Sequence, residues 1–210
     1  MLILYVRQLK IWSVRAQYRL SDANVILRAS SYVAQKLHRF RFLIKDLIFV
    51  KKFKKSKSNI TSGGLGTMGF ALPAAIGAKM GAMDREVVAI IGDGGYQMTI
   101  QELGVIFQHN LPVKIVVLNN DHLGMVRQWQ ELFFDRRYAS TVMVNPDFVK
   151  IAEGYHIEAK RVSERKDLSA VVQEMMASDK PYFLEVKVEK EDNVFPMIPT
   201  GASVSDIRLK

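Results

Sequence analysis

The sequence contains no cysteine, and this absence limits the chemistry that the protein can use. Disulfides, thiolate metal sites and cysteine nucleophiles are excluded, because each of them needs a thiol. Proline is also scarce, with 6 residues in 210, while 49% of the residues are hydrophobic. The length and composition are those of one well-buried domain, and a chain of this length is too short for two large domains.

Long apolar runs are missing as well. Arginine and lysine interrupt each apolar stretch of the N-terminal quarter, so it lacks the apolar centre of a signal peptide, and no span of 18 apolar residues occurs. We therefore expect no membrane span and a cytoplasmic location.

Acidic residues are almost absent from residues 1–58, which hold fourteen Lys and Arg against two acids, whereas residues 59–210 hold sixteen against nineteen. Apolar residues recur at helical spacing over 33–50, with basic residues between them. Such a helix can lie on a membrane, bind nucleic acid or act as a transit peptide, but no nucleic-acid motif accompanies the charge. We predict a basic arm over 1–58, helical or disordered, that can be deleted as far as residue 50 without unfolding the domain at 59–210.

From residue 60 the chain alternates strand and helix patterns. Strands are predicted over 87–91, 113–118, 159–162 and 182–188, and helices over 100–109, 125–134, 146–155 and 167–177. Thr99 with Glu102 forms the pattern of a capping box, and Asn145 with Pro146 that of a helix cap and first turn. The alternation predicts an α/β fold with an open, mostly parallel sheet and helices on both faces.

The stretch "VVAIIGDGGYQMT" ends a buried strand on an aspartate among three glycines. Glycines allow an anion to approach backbone N–H groups, but the carboxylate of Asp93 would repel that anion unless a cation lay between them. Asn120 follows the next predicted strand, and the carboxyl ends of parallel strands meet at one edge of a sheet. Oxygen ligands without His or Cys suit Mg²⁺, which shares phosphate oxygens. The sequence therefore predicts a Mg²⁺ diphosphate site.

A competing motif is Gly64-Leu-Gly66-Thr-Met-Gly69, which satisfies the G-x-G-x-x-G pattern of dinucleotide sites. That pattern requires a buried strand in front of it, and the preceding "KKSKSNITS" is polar and charged. Nicotinamide or flavin binding at this motif is therefore disfavoured.

"GDG" at 92–94, twenty-four residues and then "NN" at 119–120 resemble the thiamine diphosphate signature. The segments "ITSGGLGTMGFALPAAIGAK", "LNNDHLGMVRQWQELFF" and "VFPMIPTGASVSD" narrow the resemblance to acetolactate (acetohydroxyacid) synthase large subunits. The similarity covers about residues 51–210, roughly the C-terminal quarter of that family's chain. It implies the C-terminal thiamine diphosphate-binding (PP) domain.

The resemblance implies a role for each matching residue. Mg²⁺ would be held by Asp93, the side chain of Asn120 and the backbone carbonyl of His122. The diphosphate would be cradled by Gly94 and Gly95 and by the amides near Gly124 and Met125.

The remaining site residues carry roles from the same resemblance. The carbonyl of Gly66 would accept a hydrogen bond from the cofactor's aminopyrimidine, and Met68 would support its bent conformation. Met125 and Trp129 would shape the pocket for the second 2-keto acid. Without the resemblance, ordinary core packing is the favoured explanation for Met68, Met125 and Trp129.

The reaction implied is decarboxylation of pyruvate and carboligation to a second pyruvate or to 2-ketobutyrate, in branched-chain amino-acid synthesis. The cofactors implied are thiamine diphosphate and Mg²⁺, with FAD only in the complete family enzyme. The family glutamate that activates the cofactor lies on the pyrimidine domain of a neighbouring subunit and has no counterpart here. The partners implied are a chain bearing that domain or a homo-oligomer, and a regulatory subunit; nucleic acid is not expected.

One region departs from the family. A "GQHQM"-like segment should precede "ITSGG", but the sequence there reads "HRFRFLIKDLIFVKKFKKSKSN". We expect a fragment, a disrupted reading frame or a gene remnant. Three function classes stay open: a cofactor-binding domain of acetolactate synthase that is inactive alone, a domain of another thiamine diphosphate-dependent decarboxylase or oxidase, and a non-catalytic module that works through its basic arm.

Overall fold

The computed structural model describes residues 59–190, 193–199 and 201–209, together with a strand at 25–28. In these residues the strands β1 to β6 are Val25–Arg28, Asn59–Thr61, Val87–Gly92, Val113–Asn119, Glu158–Val162 and Tyr182–Lys187. The helices α1 to α6 are Ala71–Gly81, Asp93–Gln97, Leu103–Gln108, Gly124–Phe133, Phe148–Gly154 and Arg165–Ala177. Short 3₁₀ turns occur at Gly63–Leu65, Ile100–Glu102 and Val204–Asp206. The helix predicted over 33–50 lies outside the described residues.

The strands form one sheet in the order β2-β1-β3-β4-β6-β5, and each neighbouring pair is parallel. β3, β4 and β6 are almost continuously apolar and buried, as expected for parallel strands that are covered on both faces. The predicted α/β fold with an open parallel sheet is confirmed.

Helices cover both faces of the sheet. Ala89, Ile115 and Phe183 point to one face, where they pack in a core with residues of α1, α3 and α5. Their neighbours along the strands point to the opposite face and pack against α6. Because successive side chains of a strand alternate between faces, the same apolar runs supply both cores.

β1 lies inside the sheet, between β2 and β3. Ile26 pairs with Val88, and Leu27 pairs with both Ile60 and Ala89. These four residues depart from the prediction that 1–58 is a helical or disordered arm. The apolar run Val25–Leu27 contains two β-branched residues, which favour a strand, and it precedes the segment whose helical periodicity carried the prediction. The rest of the arm lies outside the described residues.

Both predicted helix caps are wrong. The Thr99 hydroxyl makes no cap, because it donates to the carbonyl of Gly69 at 3.1 Å, 30 residues away. Helix α5 is capped by Asp147, whose carboxylate accepts from the amide of Lys150 at 3.4 Å. The side chain of Asn145 is therefore available for other contacts.

The described part of the chain contains no helix that is both long and apolar enough to cross a membrane.

Candidate functional site

The candidate site lies at the edge of the sheet where β3, β4 and β6 end. The strand register pairs Gly92 with Leu118 and Asn119 with Lys187. Asp93, the next residue after β3, therefore follows at the level of Asn119, one residue before the Asn120 that the sequence motif singles out. The parallel sheet brings three segments together here that are far apart in the chain.

Asp93 is the buried carboxylate of this edge, with only 2% of its surface exposed. Its Oδ2 accepts a hydrogen bond of 2.8 Å from Nδ2 of Asn145, and the amides of Gly94 and Asp121 also donate to the carboxylate. Burial raises the pKa of Asp93, these three donors oppose the rise, and the nearby carboxylate of Asp121 adds to it. A nearby cation would stabilise the ionised form of Asp93.

The loop after β4 presents the next two predicted ligands. The Oδ1 of Asn120 accepts from the amide of His122 at 3.3 Å, while Nδ1 of His122 lies 3.0 Å from the carbonyl of Asn120. Two backbone hydrogen bonds of 2.8 Å hold 121–123 against 141–143. No backbone amide of the described residues donates to the carbonyl of His122, so that oxygen can accept another partner.

The side chain of Asn145 forms hydrogen bonds to the segments that follow β3 and β4. Its Nδ2 lies 2.8 Å from Oδ2 of Asp93, 2.9 Å from Oδ1 of Asn119 and 3.0 Å from Oδ1 of Asp121. Its Oδ1 accepts from Nε2 of Gln97 at 2.6 Å. The sequence offers a signal for this residue, a polar amide ahead of a helix, but that signal is the one that predicts a cap.

A network of charged groups supports the amides from the β6 side. Glu185 is 1% exposed; its Oε1 accepts from Nδ2 of Asn119 at 2.6 Å, and its Oε2 pairs with Nε of Arg161 at 2.7 Å. Arg161 also pairs with Asp147 at 2.8 Å. Hydrogen bonding to Glu185 raises the pKa of the Arg161 guanidinium. A glutamate inside the apolar run "YFLEVK" is the sequence feature that could have indicated this network.

Lys187 completes the charge balance at the edge. Its Nζ lies 3.2 Å from each carboxylate oxygen of Asp121 and 3.7 Å from Glu185. It thus neutralises part of the charge of Asp121, while the donors to Asp93 within the described residues are neutral.

The glycine turn has almost no spare room beside Gly94. A Cβ at this position would lie 2.9 Å from the side chain of Leu123, 3.1 Å from that of Met68 and 3.2 Å from that of Met143. Only a hydrogen fits unless the ends of these apolar side chains move. The structure therefore places Met68, Leu123 and Met143 around Gly94; Leu123 and Met143 are residues that sequence reasoning missed.

The other predicted residues lie around this centre. Gly66 is exposed and has a φ of 56°, a left-handed conformation that favours glycine. Gly95 follows Gly94 in α2 and is buried, whereas Gly124 and Met125 open α4 and are half-buried. No hydrogen bond or ring contact joins Gly66 to Asp93 within the described residues.

Trp129 lies one turn after Met125 on α4, so the two share a helix face. Its ring packs against Phe133, with ring centres 4.8 Å apart, and the guanidinium of Arg208 lies 4.8 Å from the centre of the Phe133 ring. The C-terminal tail thus reaches the helix that carries both predicted substrate residues.

The oxygen donors of the edge fit a hard cation such as Mg²⁺. They comprise the buried carboxylate of Asp93, the amide oxygen of Asn120 and the available carbonyl of His122. The described residues contain no group of three or more His, Cys, Asp and Glu that could hold a metal. A cation here would therefore keep other ligands, such as water or phosphate oxygens, as Mg²⁺ commonly does.

The polar segment in front of the dinucleotide motif contains a short strand, which the sequence did not indicate. A strand, β2, does precede Gly64, and helix α1 follows Gly69. The strand has three residues, of which only Ile60 is buried, and it forms the sheet edge, so it is not the buried central strand that the motif requires.

Comparison with known proteins identifies the relatives of the chain. The family model for the thiamine pyrophosphate enzyme, C-terminal TPP binding domain, matches residues 47–186. The chain is 47% identical over 152 residues to the acetolactate synthase isozyme 2 large subunit of Escherichia coli, a match that covers 72% of this chain and 28% of the relative. Acetolactate synthase 2, chloroplastic, of Nicotiana tabacum is 46% identical over 164 residues, with coverages of 74% and 25%. The large subunit of Corynebacterium glutamicum is 45% identical over 162 residues, with coverages of 74% and 26%.

A solved structure has the same fold. The thiamine diphosphate-dependent 4-hydroxybenzoylformate decarboxylase of Rhodococcus jostii matches with a TM-score of 0.68 and 26% identity, over 82% of this chain and 31% of its own. The chain therefore spans about a quarter of the length of the curated relatives it matches. The resemblance to acetolactate synthase large subunits is confirmed, and the chain belongs to the family of thiamine pyrophosphate enzyme C-terminal TPP-binding domains.

Proposed function

We propose that this chain binds thiamine diphosphate and Mg²⁺ as the cofactor-binding domain of an acetolactate synthase large subunit, a transferase of branched-chain amino-acid synthesis. The observation that carries the proposal is the buried carboxylate of Asp93, which is held by neutral donors at the carboxyl edge of the sheet. A buried carboxylate whose pKa is raised by burial is stabilised by a bound cation, and the cation in turn attracts a diphosphate.

The residues of the edge would divide the binding between them. Asp93, Asn120 and the carbonyl of His122 would hold Mg²⁺, and the amides of Gly94 and Gly95 with those near Gly124 and Met125 would bind the diphosphate oxygens. Met68, whose side chain lies over Gly94, would support the bent cofactor, and the Gly66 carbonyl would accept from its aminopyrimidine. When bound, thiamine diphosphate supplies the electron sink for decarboxylation of a 2-keto acid.

The substrates proposed are pyruvate and a second 2-keto acid, either pyruvate or 2-ketobutyrate. Met125 and Trp129, one turn apart on α4, would contact the second substrate. The pocket they form would be limited on one side by the packing of Phe133 and Arg208.

We further propose that activity requires a pyrimidine domain and its glutamate, supplied by a neighbouring subunit. The loops around the site expose large apolar side chains, among them Leu65, Val142 and Val144 at 80%, 68% and 95% exposure. Val142 lies directly opposite His122 in the antiparallel bridge, so this apolar surface adjoins the proposed Mg²⁺ loop. Large apolar side chains that are exposed beside a site favour a protein interface there.

Two further parts of the proposal rest on the relatives. A regulatory subunit is proposed because the relatives from Escherichia coli and Corynebacterium glutamicum are named as large subunits. A cytoplasmic location is proposed by analogy with these bacterial relatives, whereas the tobacco relative is named as chloroplastic.

The alternative is a different thiamine diphosphate-dependent decarboxylase, which the fold match to 4-hydroxybenzoylformate decarboxylase keeps open. Identity of 26% to that enzyme, against 45% to 47% for acetolactate synthases, favours the synthase. Product analysis from pyruvate, with a complementing pyrimidine-domain chain, separates a carboligated product from a simple aldehyde.

The binding test uses calorimetric titration of thiamine diphosphate into the full chain in the presence of Mg²⁺. We expect Asp93→Ala to abolish Mg²⁺-dependent binding, because the proposed site would then lose its one carboxylate. Asp135→Ala is the matched control, since that carboxylate is 93% exposed in a surface ion pair. Equal binding by the parent and Asp93→Ala would refute the site.

A further inference from the structure

We propose that Asn145 is a positioning residue that orients the Asp93 carboxylate toward Mg²⁺. The inference rests on the proposed function, because it concerns how the Mg²⁺ ligand is held. Its starting point is the contact of one amide group with three acceptors, Oδ2 of Asp93, Oδ1 of Asn119 and Oδ1 of Asp121, all within 3.0 Å.

The orientation of the Asn145 amide follows from the chemistry of its neighbours. Ionised carboxylates only accept hydrogen bonds, so the NH₂ end must face Asp93 and Asp121. The carbonyl end faces Gln97, whose Nε2 donates to it at 2.6 Å. A flipped amide would place an oxygen against two carboxylates and the NH₂ of Asn145 against that of Gln97.

The amide of Asn119 is fixed by the same logic. Its NH₂ donates to the buried carboxylate of Glu185 at 2.6 Å, which leaves its Oδ1 to accept from Asn145. Glu185 is itself held by the guanidinium of Arg161. A series of oriented groups therefore runs from β5 and β6 to the Oδ2 atom of Asp93.

The consequence for a cation lies in geometry rather than charge. Asn145 holds Oδ2 of Asp93, so the carboxylate has a defined direction. Because Asn145 is neutral, it leaves the negative charge of Asp93 for the metal, which a lysine or arginine in its place would offset. Mg²⁺ requires near-ideal octahedral geometry, whereas Ca²⁺ accepts variable geometry with six to eight ligands. Loss of the positioning contact should therefore weaken Mg²⁺ binding more than Ca²⁺ binding.

The test compares the two ions. Mg²⁺ and, separately, Ca²⁺ are titrated calorimetrically into the full chain with thiamine diphosphate, and each titration is corrected for a titration into the cofactor alone. We expect Asn145→Ala to lower Mg²⁺ affinity about 10- to 100-fold, the usual effect of losing a group that orients a metal ligand. The Ca²⁺ affinity should fall less, so that the ratio of Mg²⁺ to Ca²⁺ affinity falls with it.

Gln130→Ala is the matched control. The side-chain amide of Gln130 makes hydrogen bonds to both the carbonyl and the amide of Ala139, at 3.0 and 2.9 Å. It therefore anchors residues 134–147, the segment that contains Asn145, without touching Asp93. This variant should keep the parent ratio of Mg²⁺ to Ca²⁺ affinity. A merely structural role of Asn145 would lower the affinities for both ions together and leave the ratio unchanged.

A second variant covers the case in which Asn145→Ala does not fold. Gln97→Glu replaces the donor to the Asn145 carbonyl by an acceptor, which favours the flipped amide while Asn145 stays in place. Gln97→Glu should lower the ratio of Mg²⁺ to Ca²⁺ affinity. The positioning role would be overturned if Asn145→Ala and Gln97→Glu, or whichever of the two folds, kept the parent ratio. If the parent binds both ions with the cofactor, that failure affects this inference alone; if the parent binds neither, the proposed function and this inference both fail.

Discussion

Tyr96 carries a buried hydroxyl whose removal should stabilise the protein. The residue is fully buried, and its ring packs against Phe148 in an edge contact at 5.2 Å and against Phe183 at 5.3 Å. Its hydroxyl has no hydrogen-bond partner in the described part of the chain. Burial, and secondarily the proximity of Tyr155 and Glu185, raises the pKa of this hydroxyl, so it stays neutral.

The magnitude follows from the cost of an unsatisfied polar group. A buried hydroxyl without a partner costs about 1–3 kcal/mol, and Tyr96→Phe removes it while keeping the ring contacts. Tyr182→Phe is the matched comparison, because that hydroxyl donates to Glu174 at 3.0 Å. Loss of this hydrogen bond should lower the free energy of unfolding by about 1 kcal/mol. This value is small for a hydrogen bond to a charged group, because the Glu174 side chain is 41% exposed. The two identical substitutions should therefore change the free energy of unfolding in opposite directions.

Urea denaturation of the parent and both variants measures these changes. We expect a higher midpoint for Tyr96→Phe and a lower one for Tyr182→Phe, with unchanged slopes. In a thermal melt of a domain of this size, each kcal/mol of change in the free energy of unfolding shifts Tm by about 2–4 °C. A clear loss of stability in Tyr96→Phe would show that its hydroxyl has a partner, and the reasoning from the buried hydroxyl would fail.

Three further predictions concern charge, the first strand and activity. The Nζ of Lys114 donates to the carbonyls of Ser178 and Lys180, and burial lowers the pKa of this lysine. Between the lowered pKa and the ordinary value near 10.5, the unfolded chain therefore binds more protons at Lys114 than the folded chain does. The free energy of unfolding should therefore rise with pH in that window, and urea denaturation of Lys114→Met over the same pH range should lack this contribution; equal slopes would contradict it. Deleting residues 1–50 removes β1 from between its two partner strands, so we expect a lower Tm by calorimetry, contrary to the expectation from charge alone; an unchanged Tm would restore that expectation. The full chain alone, saturated with thiamine diphosphate and Mg²⁺, should form no appreciable acetolactate from pyruvate in a colorimetric acetoin assay until a pyrimidine-domain chain is added. The reason is that a positioned proton-transfer group increases the rate about 10²–10⁴-fold. Ample product without the added chain would mean that a residue of this chain replaces the glutamate.

The central sheet and the family could be predicted from the sequence because their signals are local. The apolar runs of β3, β4 and β6 allow little other than buried parallel strands, and the alternation with helices places their carboxyl ends at one edge. Asp93 and Asn120 were identified by residue type and spacing alone. Their roles as Mg²⁺ ligands remain predictions.

The supporting contacts of the site could not be predicted, because they join residues that are distant in the chain. Asn145 reaches Asp93 across 52 residues and Glu185 reaches Asn119 across 66, and neither residue type specifies such a partner. Thr99 shows the same limit: its local pattern predicts a cap, but its hydroxyl donates to Gly69. A short polar side chain can satisfy its hydrogen bonds locally or at long range with similar energy, so the packing of the sheet and its loops decides between them.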